Sequence, residues 1–595
     1  LPLNSEYQFK LNRSQVTTAT IEGRVALLRW LLVVLLVILV VNLFAKQVIG
    51  GSKYKAMAKD QQTAKLTSQP ERGKIYAYDK TASDFGVTEA RHDKQFFPLA
   101  TNIMKFDVWV VPRNLKNPEE TAKILAEKLS LDANQLLPDF KSNKLYIPPI
   151  IKRIDKIKAE EIANLNLRGV ITVPSPVRFY PEGTMAAQLI GFVNYDGEGS
   201  SGIENYYNNE LKGVPGVVYG LKDTKGRVIG VNDQTRAQNG VDLVLTIDST
   251  VQFIAETKLK EAIEKYGATG GTIIIAEPDT GRVLAMANNP SFDPNKFNEV
   301  PKEQQSLYIN PAISDVYEPG SIFKPMIMAA AIDAGKVEPD TKPEDLPGGF
   351  NNMVTIDGYE IHNSQDKAFG FETMTKVLEN SDNIGMIWVA DRMGNDIMGK
   401  YIKDFGIGAK TGIDAGAEGG GKMSDPAKWR NVNRATISFG QGISATPIQI
   451  ISAYMALAND GKLVKPHLLD TIISASGEEK KIETTEVRQV IKKETADKIK
   501  EMLVSVVENG HGKKAKVDGF RVAGKTGTAQ IPKKDGPGYE EEAHIGSFAG
   551  FAPADDPKFV MMVKLDRPSN VEWAESSAAP TFGEIAKWLL TNYYR

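Results

Sequence analysis

The sequence predicts an α+β protein held at a membrane by one N-terminal apolar helix. Three observations carry that reading: a single uninterrupted apolar run, "WLLVVLLVILVVNLFA" at Trp30–Ala45; a middle segment where short strands alternate with helices; and a C-terminal stretch of roughly 350 residues that runs strand, helices, strands, helix. At 595 residues the chain exceeds one hydrophobic core, so two or three folded units are expected.

Extended back to Val25, the apolar run covers about 21 residues, roughly 31 Å of helix, enough to cross a bilayer core. Arg29 can snorkel at one end and Trp30 sits at interface depth. Lys10, Arg13, Arg24 and Arg29 precede the span, so a cytoplasmic tail (1–24), an anchor (25–45) and an extracytoplasmic remainder are expected: a single-pass cell-membrane protein. A cleaved signal peptide is the rival, but the run is long and "NLFAKQ" lacks a small-x-small site.

Composition narrows the chemistry. A net charge of −2 gives no electrostatic footprint for nucleic acid. There is no cysteine, hence no disulfide, thiolate nucleophile or Cys-ligated zinc. The five histidines (His92, His362, His467, His511, His544) are scattered without H-E-x-x-H, and no metal site or cofactor is expected.

Beyond the anchor, residues 46–69 are polar and Lys-rich and read as a stalk. Residues 70–240 mix strands ("FDVWVV", "GVITV") with helices ("PEETAKILAEKLS", "KAEEIANLNL") and gather no titratable site, so a structural or docking module is expected. Residues 241–595 open with a strand, then Asp248 or Ser249 capping a long amphipathic helix. "GTIIIAEP" and "GRVLAMAN", joined by Asp279-Thr280-Gly281, read as a hairpin of a central sheet. A mostly helical stretch follows to about residue 470. Strands return at "FRVAGKTGTAQI", "GSFAGFAPA" and "KFVMMVKLD", and "TFGEIAKWLLTNYY" closes as a helix; the sheet should be covered on both faces.

Three glycine motifs mislead. Gly519, Gly524, Lys525 and Thr526 match the phosphate-cradling G-x-x-x-x-G-K-T, but that loop needs a helix after the lysine. Gly527, Pro532, Gly536, Pro537 and Gly538 forbid one, and "FRVA" alternates like a strand. Gly440, Gly442 and Ala445 match G-x-G-x-x-A, yet Thr446-Pro447 starts the helix only after the motif. Lys410-Thr411-Gly412 lies among glycines and reads as a turn.

Three segments can carry chemistry. In "YEPGSIFKPMIMAAAIDAGKV", Ser321 stands at a helix N-terminus and Lys324 follows one turn later, so its amine can reach the hydroxyl. In "LENSDNIGMIWVADRMG", Ser381-Asp382-Asn383 precedes an apolar helix, and capping is the plain reading. In "AGKTGTAQ", Lys525 supplies a cation, Gly527 admits a second backbone, and the Thr528 amide can point at an oxyanion.

Ser321-x-x-Lys324, Ser381-x-Asn383 and Lys525-Thr526-Gly527-Thr528, in that order, resemble the penicillin-recognising serine transferases and hydrolases. "RFYPEG", "LIGFVN", "GIENYYNNELKG", "LTID", "PSFDPN" and "FGQGISATPIQ" extend the resemblance to class B penicillin-binding proteins, the monofunctional peptidoglycan D,D-transpeptidases. One departure stands in "RGKIYAYDKTA": Arg72, Gly73 and Ile75 match the family's R-G-x-I-x-D-R-N-G, but its Asp-Arg-Asn-Gly part is absent.

The resemblance implies an antiparallel sheet flanked by helices (241–595), preceded by a mixed α/β pedestal of the dimerisation type (70–240). It implies a donor peptide ending in D-Ala-D-Ala, with Ser321 as nucleophile, Lys324 as base, Ser381 relaying a proton and Asn383 holding the peptide amide. Lys525, Thr526, Gly527 and Thr528 would bind the terminal carboxylate and line the donor strand, with the Ser321 and Thr528 amides as oxyanion hole. It further implies an amine acceptor from a neighbouring stem, inhibition by β-lactams, and a SEDS-type membrane glycosyltransferase and division proteins as partners. "RFYPEG…GEGSSGIENYY" looks closer to septal than to elongation enzymes. A β-lactamase or D,D-carboxypeptidase of the same fold, and a scaffold that activates a glycosyltransferase, are the alternatives.

Overall fold

The computed structural model describes residues 18–55, 63–68, 70–80, 96–142, 144, 147–222, 228–533, 536 and 538–595. Lys10, Arg13 and His92 lie outside them, as do residues 56–62 of the expected stalk. The chain divides into two compact units, Leu1–Gln69 with Val214–Gln238, and Pro70–Gly213 with Asn239–Arg595.

In the first unit a helix spans Thr18–Phe44 and continues as a π turn over Ala45–Ile49. Gly23–Ile49 is long and apolar enough to cross a membrane, with a mean hydropathy of 2.8 and 0% of it buried. The helix outruns the expected 25–45 because no proline or glycine stops it before Gly50. Thr63–Ser68, inside the expected stalk, pairs antiparallel with Gly216–Lys222, which pairs with Val228–Thr235. Composition around residue 63 carries no trace of that distant partner.

Among the described residues the second unit holds two large sheets and two two-stranded ones. One has seven strands, ordered Glu479–Lys481, Leu469–Ile473, Asp242–Asp248, Ile75–Tyr78, Phe96–Val110, Ile151–Ile154, with Val170–Phe179 also along Phe96–Val110. Strands from both sides of residue 240 therefore share one sheet. Helices Pro118–Leu129 and Lys156–Asn164 cover its far end through Val108, Val110, Leu125 and Ile162. A buried charge cluster locks its base: Glu204, 0% exposed, takes Arg72 at 2.6 Å and Arg178 at 2.6 Å. A Cβ at Gly73 would lie 1.8 Å from the Val241 carbonyl oxygen. The matching Arg72, Gly73 and Ile75 all pack, and so does Ala77 of the departing part, which is 0% exposed.

The other large sheet is antiparallel throughout. Its strands are β1 (Gly270–Ala276), β2 (Val283–Asn289), β3 (Ala523–Pro532), β4 (Tyr539–Ala552) and β5 (Phe559–Asp566), ordered β2-β1-β5-β4-β3. Alternation in "TIIIA" sends Ile273 and Ile275 to one face and Ile274 to the other. The first face packs on α1 (Ser249–Tyr266) and α6 (Ala578–Trp588), through Ala255, Leu259, Phe582 and Ile585. Asp248 caps α1, accepting from the Thr250 and Val251 amides at 3.0 Å each. The second face packs on a helical layer of α2 (Lys324–Asp333), α3 (Asn383–Asp404), α4 (Pro447–Ala458) and α5 (Lys493–Asn509). All 12 residues of α4 are buried, and each large aliphatic there contributes about 1.5–3 kcal/mol.

Two expectations change. β3 starts at Ala523, because Gly519 turns the chain at φ +84° and Phe520 and Val522 pack against the helices instead of a strand. The helical stretch is interrupted by a hairpin, Met353–Ile356 with Tyr359–His362. The glycine decoys resolve as expected: Gly524, Lys525 and Thr526 lie within β3, and α4 begins behind a Thr446/Gln449 capping box with Pro447 first. Lys410-Thr411-Gly412 forms no regular element.

Candidate active site

Ser321 sits on a single tight turn, Gly320–Phe323, that feeds into α2. The turn is wedged between two backbones. Gly320, at φ +61°, donates its amide to the Gly440 carbonyl at 3.1 Å, and a Cβ at Gly440 would fall 2.3 Å from the Gly320 oxygen. On the other side a Cβ at Gly527 of β3 would come 2.9 Å from Ile322 Cγ2 and 3.1 Å from the Ile322 nitrogen. From below, the buried Tyr454 hydroxyl donates to the Ile322 carbonyl at 2.8 Å. These contacts hold a part-exposed serine beside β3.

The two lysines meet on a third segment. Lys324 and Lys525 are each 0% exposed. Lys324 Nζ donates to the Ser381 carbonyl (2.6 Å), Ser381 Oγ (3.2 Å) and Asn383 Oδ1 (2.8 Å). Lys525 Nζ donates to Ser381 Oγ at 3.0 Å, and to the Thr526 carbonyl and hydroxyl at 3.1 and 3.4 Å. Ser381 is presented by a left-handed turn, φ +57°, between helix Met374–Glu379 and α3. Asn363 braces it, accepting from the Asn383 amide at 2.8 Å. Asn383 Nδ2 donates to the His362 carbonyl at 3.0 Å.

Burial sets the electrostatics. Desolvation holds Lys324 well below the ordinary lysine range, the charge of Lys525 pushes it further down, and Asp382 and Glu372 oppose this. Burial brings Lys525 down to about 7, partly opposed by Glu575. A lysine that is neutral near pH 7 is a competent proton acceptor.

Of the expected residues, Lys324, Ser381, Asn383, Lys525 and Thr526 form one hydrogen-bonded cluster, and Gly527 abuts the Ser321 turn. The Lys324 amine is turned toward Ser381 and Asn383; none of its hydrogen bonds goes to Ser321. Thr528 stands next to that turn, its hydroxyl accepting from the Ala574 amide at 3.2 Å. β3 is an edge strand, so one side of its backbone has no strand partner among the described residues. Tyr454, Asn363 and Glu372 were not singled out from the sequence, and Gly440 stood out there only as part of the misleading G-x-G-x-x-A. A cavity of about 610 Å³ lined by Asp460, Lys500 and Asp555 shares no residue with this cluster.

Residues 271–587 match the penicillin binding protein transpeptidase domain, and residues 67–245 the penicillin-binding protein dimerisation domain. Stage V sporulation protein D of Bacillus subtilis is 36% identical over 581 residues, covering 96% of this chain and 86% of that protein. Peptidoglycan D,D-transpeptidase FtsI of Escherichia coli is 32% identical, covering 83% of this chain and 81% of its own. The crystal structure of penicillin binding protein 3 from Mycobacterium tuberculosis, complexed with aztreonam, superposes with a TM-score of 0.67 at 25% identity, over 89% of this chain and 97% of that one. The chain belongs to the class B penicillin-binding proteins, in which a dimerisation domain precedes a transpeptidase domain.

Proposed function

We propose that this chain is a peptidoglycan D,D-transpeptidase that works through an acyl-enzyme on Ser321, with residues 70–240 as pedestal and 241–595 as the transpeptidase domain. The observation that supports this best is the Ser381 hydroxyl held between two buried lysines beside the Ser321 turn. One hydroxyl accepting from two amines suits a proton relay, and burial of both amines suits a neutral base next to a cation.

The donor stem peptide lies along the free edge of β3 as an added strand, its terminal carboxylate on Lys525, Thr526 and Thr528. Lys324, neutral, takes the Ser321 proton as Oγ attacks the penultimate D-Ala carbonyl. The Ser321 and Thr528 amides hold the oxyanion, at about 3 kcal/mol per donor. Collapse breaks the D-Ala–D-Ala amide bond, and the proton passes from Lys324 through Ser381 to the leaving D-Ala amine. Asn383 holds the donor's peptide amide. An acceptor amine from a neighbouring stem then attacks the ester, yields its proton to Lys324, and restores the Ser321 hydroxyl as the cross-link forms.

A β-lactam presents the same carbonyl and carboxylate, so it acylates Ser321 and stays. The N-terminal tail is cytoplasmic and the catalytic unit extracytoplasmic. Its glycan is supplied by a membrane glycosyltransferase of the SEDS type at the septum. The test supplies nascent glycan to the full chain in detergent and measures released D-Ala and cross-linked dimers. Ser321→Ala should abolish both, and dimers formed by that variant would refute the reading.

A further inference from the structure

Behind Ser381 lies a second polar cluster to which the mechanism above gives no part. Glu372 and Asp382 are 9% and 0% exposed. One oxygen of each is accounted for: Glu372 Oε2 accepts from Asn380 Nδ2 at 2.7 Å, and Asp382 Oδ1 accepts from the Ile384 amide at 2.8 Å. The other oxygens, Glu372 Oε1 and Asp382 Oδ2, are buried without a hydrogen-bond partner of their own, while the Gly385 amide and the Asn363 side chain also act on the Asp382 carboxyl and favour its ionised form. The two carboxyls lie within hydrogen-bonding range of each other.

Two buried acceptors facing each other are costly, and a single proton between them satisfies both. We propose that Glu372 is a positioning residue for acylation: its carboxyl donates one shared proton to Asp382, and this keeps Lys324 uncharged. The inference rests on the acylation reading above.

The charge inventory explains why the proton matters. Around Glu372 stand Glu379 of helix Met374–Glu379, Asn380 just after it, Asp382 at the start of α3, and Lys324 of α2. Glu379 is itself engaged by Lys376 and by the Ser505 hydroxyl of α5 at 2.7 Å. With Glu372 protonated, Asp382 is the one carboxylate of this pair whose charge acts on Lys324. Burial together with the Asp382 charge carries Glu372 up to about 8. Above that pH a second anion forms beside Lys324, favours its ammonium, and removes the base.

Two measurements test this. Infrared difference spectra of the unreacted full chain, titrated from about pH 6 to 10, should show a protonated-carboxyl band that disappears through about pH 8. Labelling with 13C-glutamate should shift that band in the unsubstituted protein, so the assignment does not depend on a variant folding. Second, the first-order acylation rate at saturating benzylpenicillin should fall by about fivefold between pH 8 and pH 9. In Glu372→Gln, which keeps a donor but cannot ionise, that fall should disappear. A missing band, a band unmoved by labelled glutamate, or identical pH profiles would overturn the inference while acylation itself persists. Failure of Ser321 to acylate would instead strike the proposed function and leave the infrared result standing.

Discussion

Lys324 and Lys525, 201 positions apart by their numbers, donate to the same Ser381 oxygen at 3.2 and 3.0 Å. Two full positive charges at that spacing repel strongly where water is excluded, so the pair is stable with one proton fewer than two free lysines carry. The proposed mechanism uses that difference, with Lys324 as the base and Lys525 as the cation.

The division predicts an asymmetric response to arginine. Lys324→Arg keeps a positive charge but cannot give up its proton, so acylation should slow by about 10²–10⁴-fold. Stopped-flow fluorescence with a labelled penicillin measures it. A loss smaller than about tenfold would remove Lys324 as the base.

Lys525 predicts a pH dependence in binding. Its folded value of about 7 lies below the ordinary lysine value, so its charge is present under pH 7 and is lost as pH rises through it. The dissociation constant of a carboxylate-bearing β-lactam should weaken by up to about tenfold per unit above pH 7, while an ester lacking that carboxylate shows no such trend. The first-order step is insensitive to this ionisation, because a bound carboxylate keeps the lysine charged.

The Ser321 turn predicts contrasting glycine substitutions. Gly440→Ala places a Cβ 2.3 Å from the Gly320 oxygen at φ +82°, so it should shift the turn, slow acylation and lower the unfolding midpoint. Gly519→Ala, at φ +84° with nothing within 4 Å, should cost only about 1–2 kcal/mol of backbone strain and leave the acylation rate intact. Equal kinetic effects would show that the wedge does not position the serine.

How far could the sequence alone anticipate this? The motif residues were legible because their spacing is local: Ser321 and Lys324 share a helical turn, and Lys525 to Thr528 share a strand. The sheet hairpin of β1 and β2 was legible for the same reason. Pairings between distant segments were not, as with Thr63–Ser68 and Gly216–Lys222. Tyr454 hides in a helix that is apolar all round, so no periodicity marks its hydroxyl. Glu372 is an acid in a loop, and only the fold turns it toward Asp382. The hairpin at 353–362 did carry a signal that was passed over: Asp357-Gly358, at φ +51° and +85°, is the turn pair that two-residue hairpins demand.

The pedestal cluster predicts a stability effect of its own. Glu204→Gln leaves Arg72 and Arg178 without their carboxylate in a buried site, which should cost about 3–5 kcal/mol. Thermal unfolding should move to a lower midpoint, and a variant that melts like the parent would show the cluster to be solvated.

The central claim is that Ser321 becomes an ester within reach of the lysine pair. Peptide mapping by mass spectrometry of the full chain after benzylpenicillin tests it most directly. The account predicts one penicilloyl adduct, on the peptide that contains Ser321, formed slowly in Lys324→Arg and not at all in Ser321→Ala. An adduct on any other residue, or one that survives in Ser321→Ala, would contradict it.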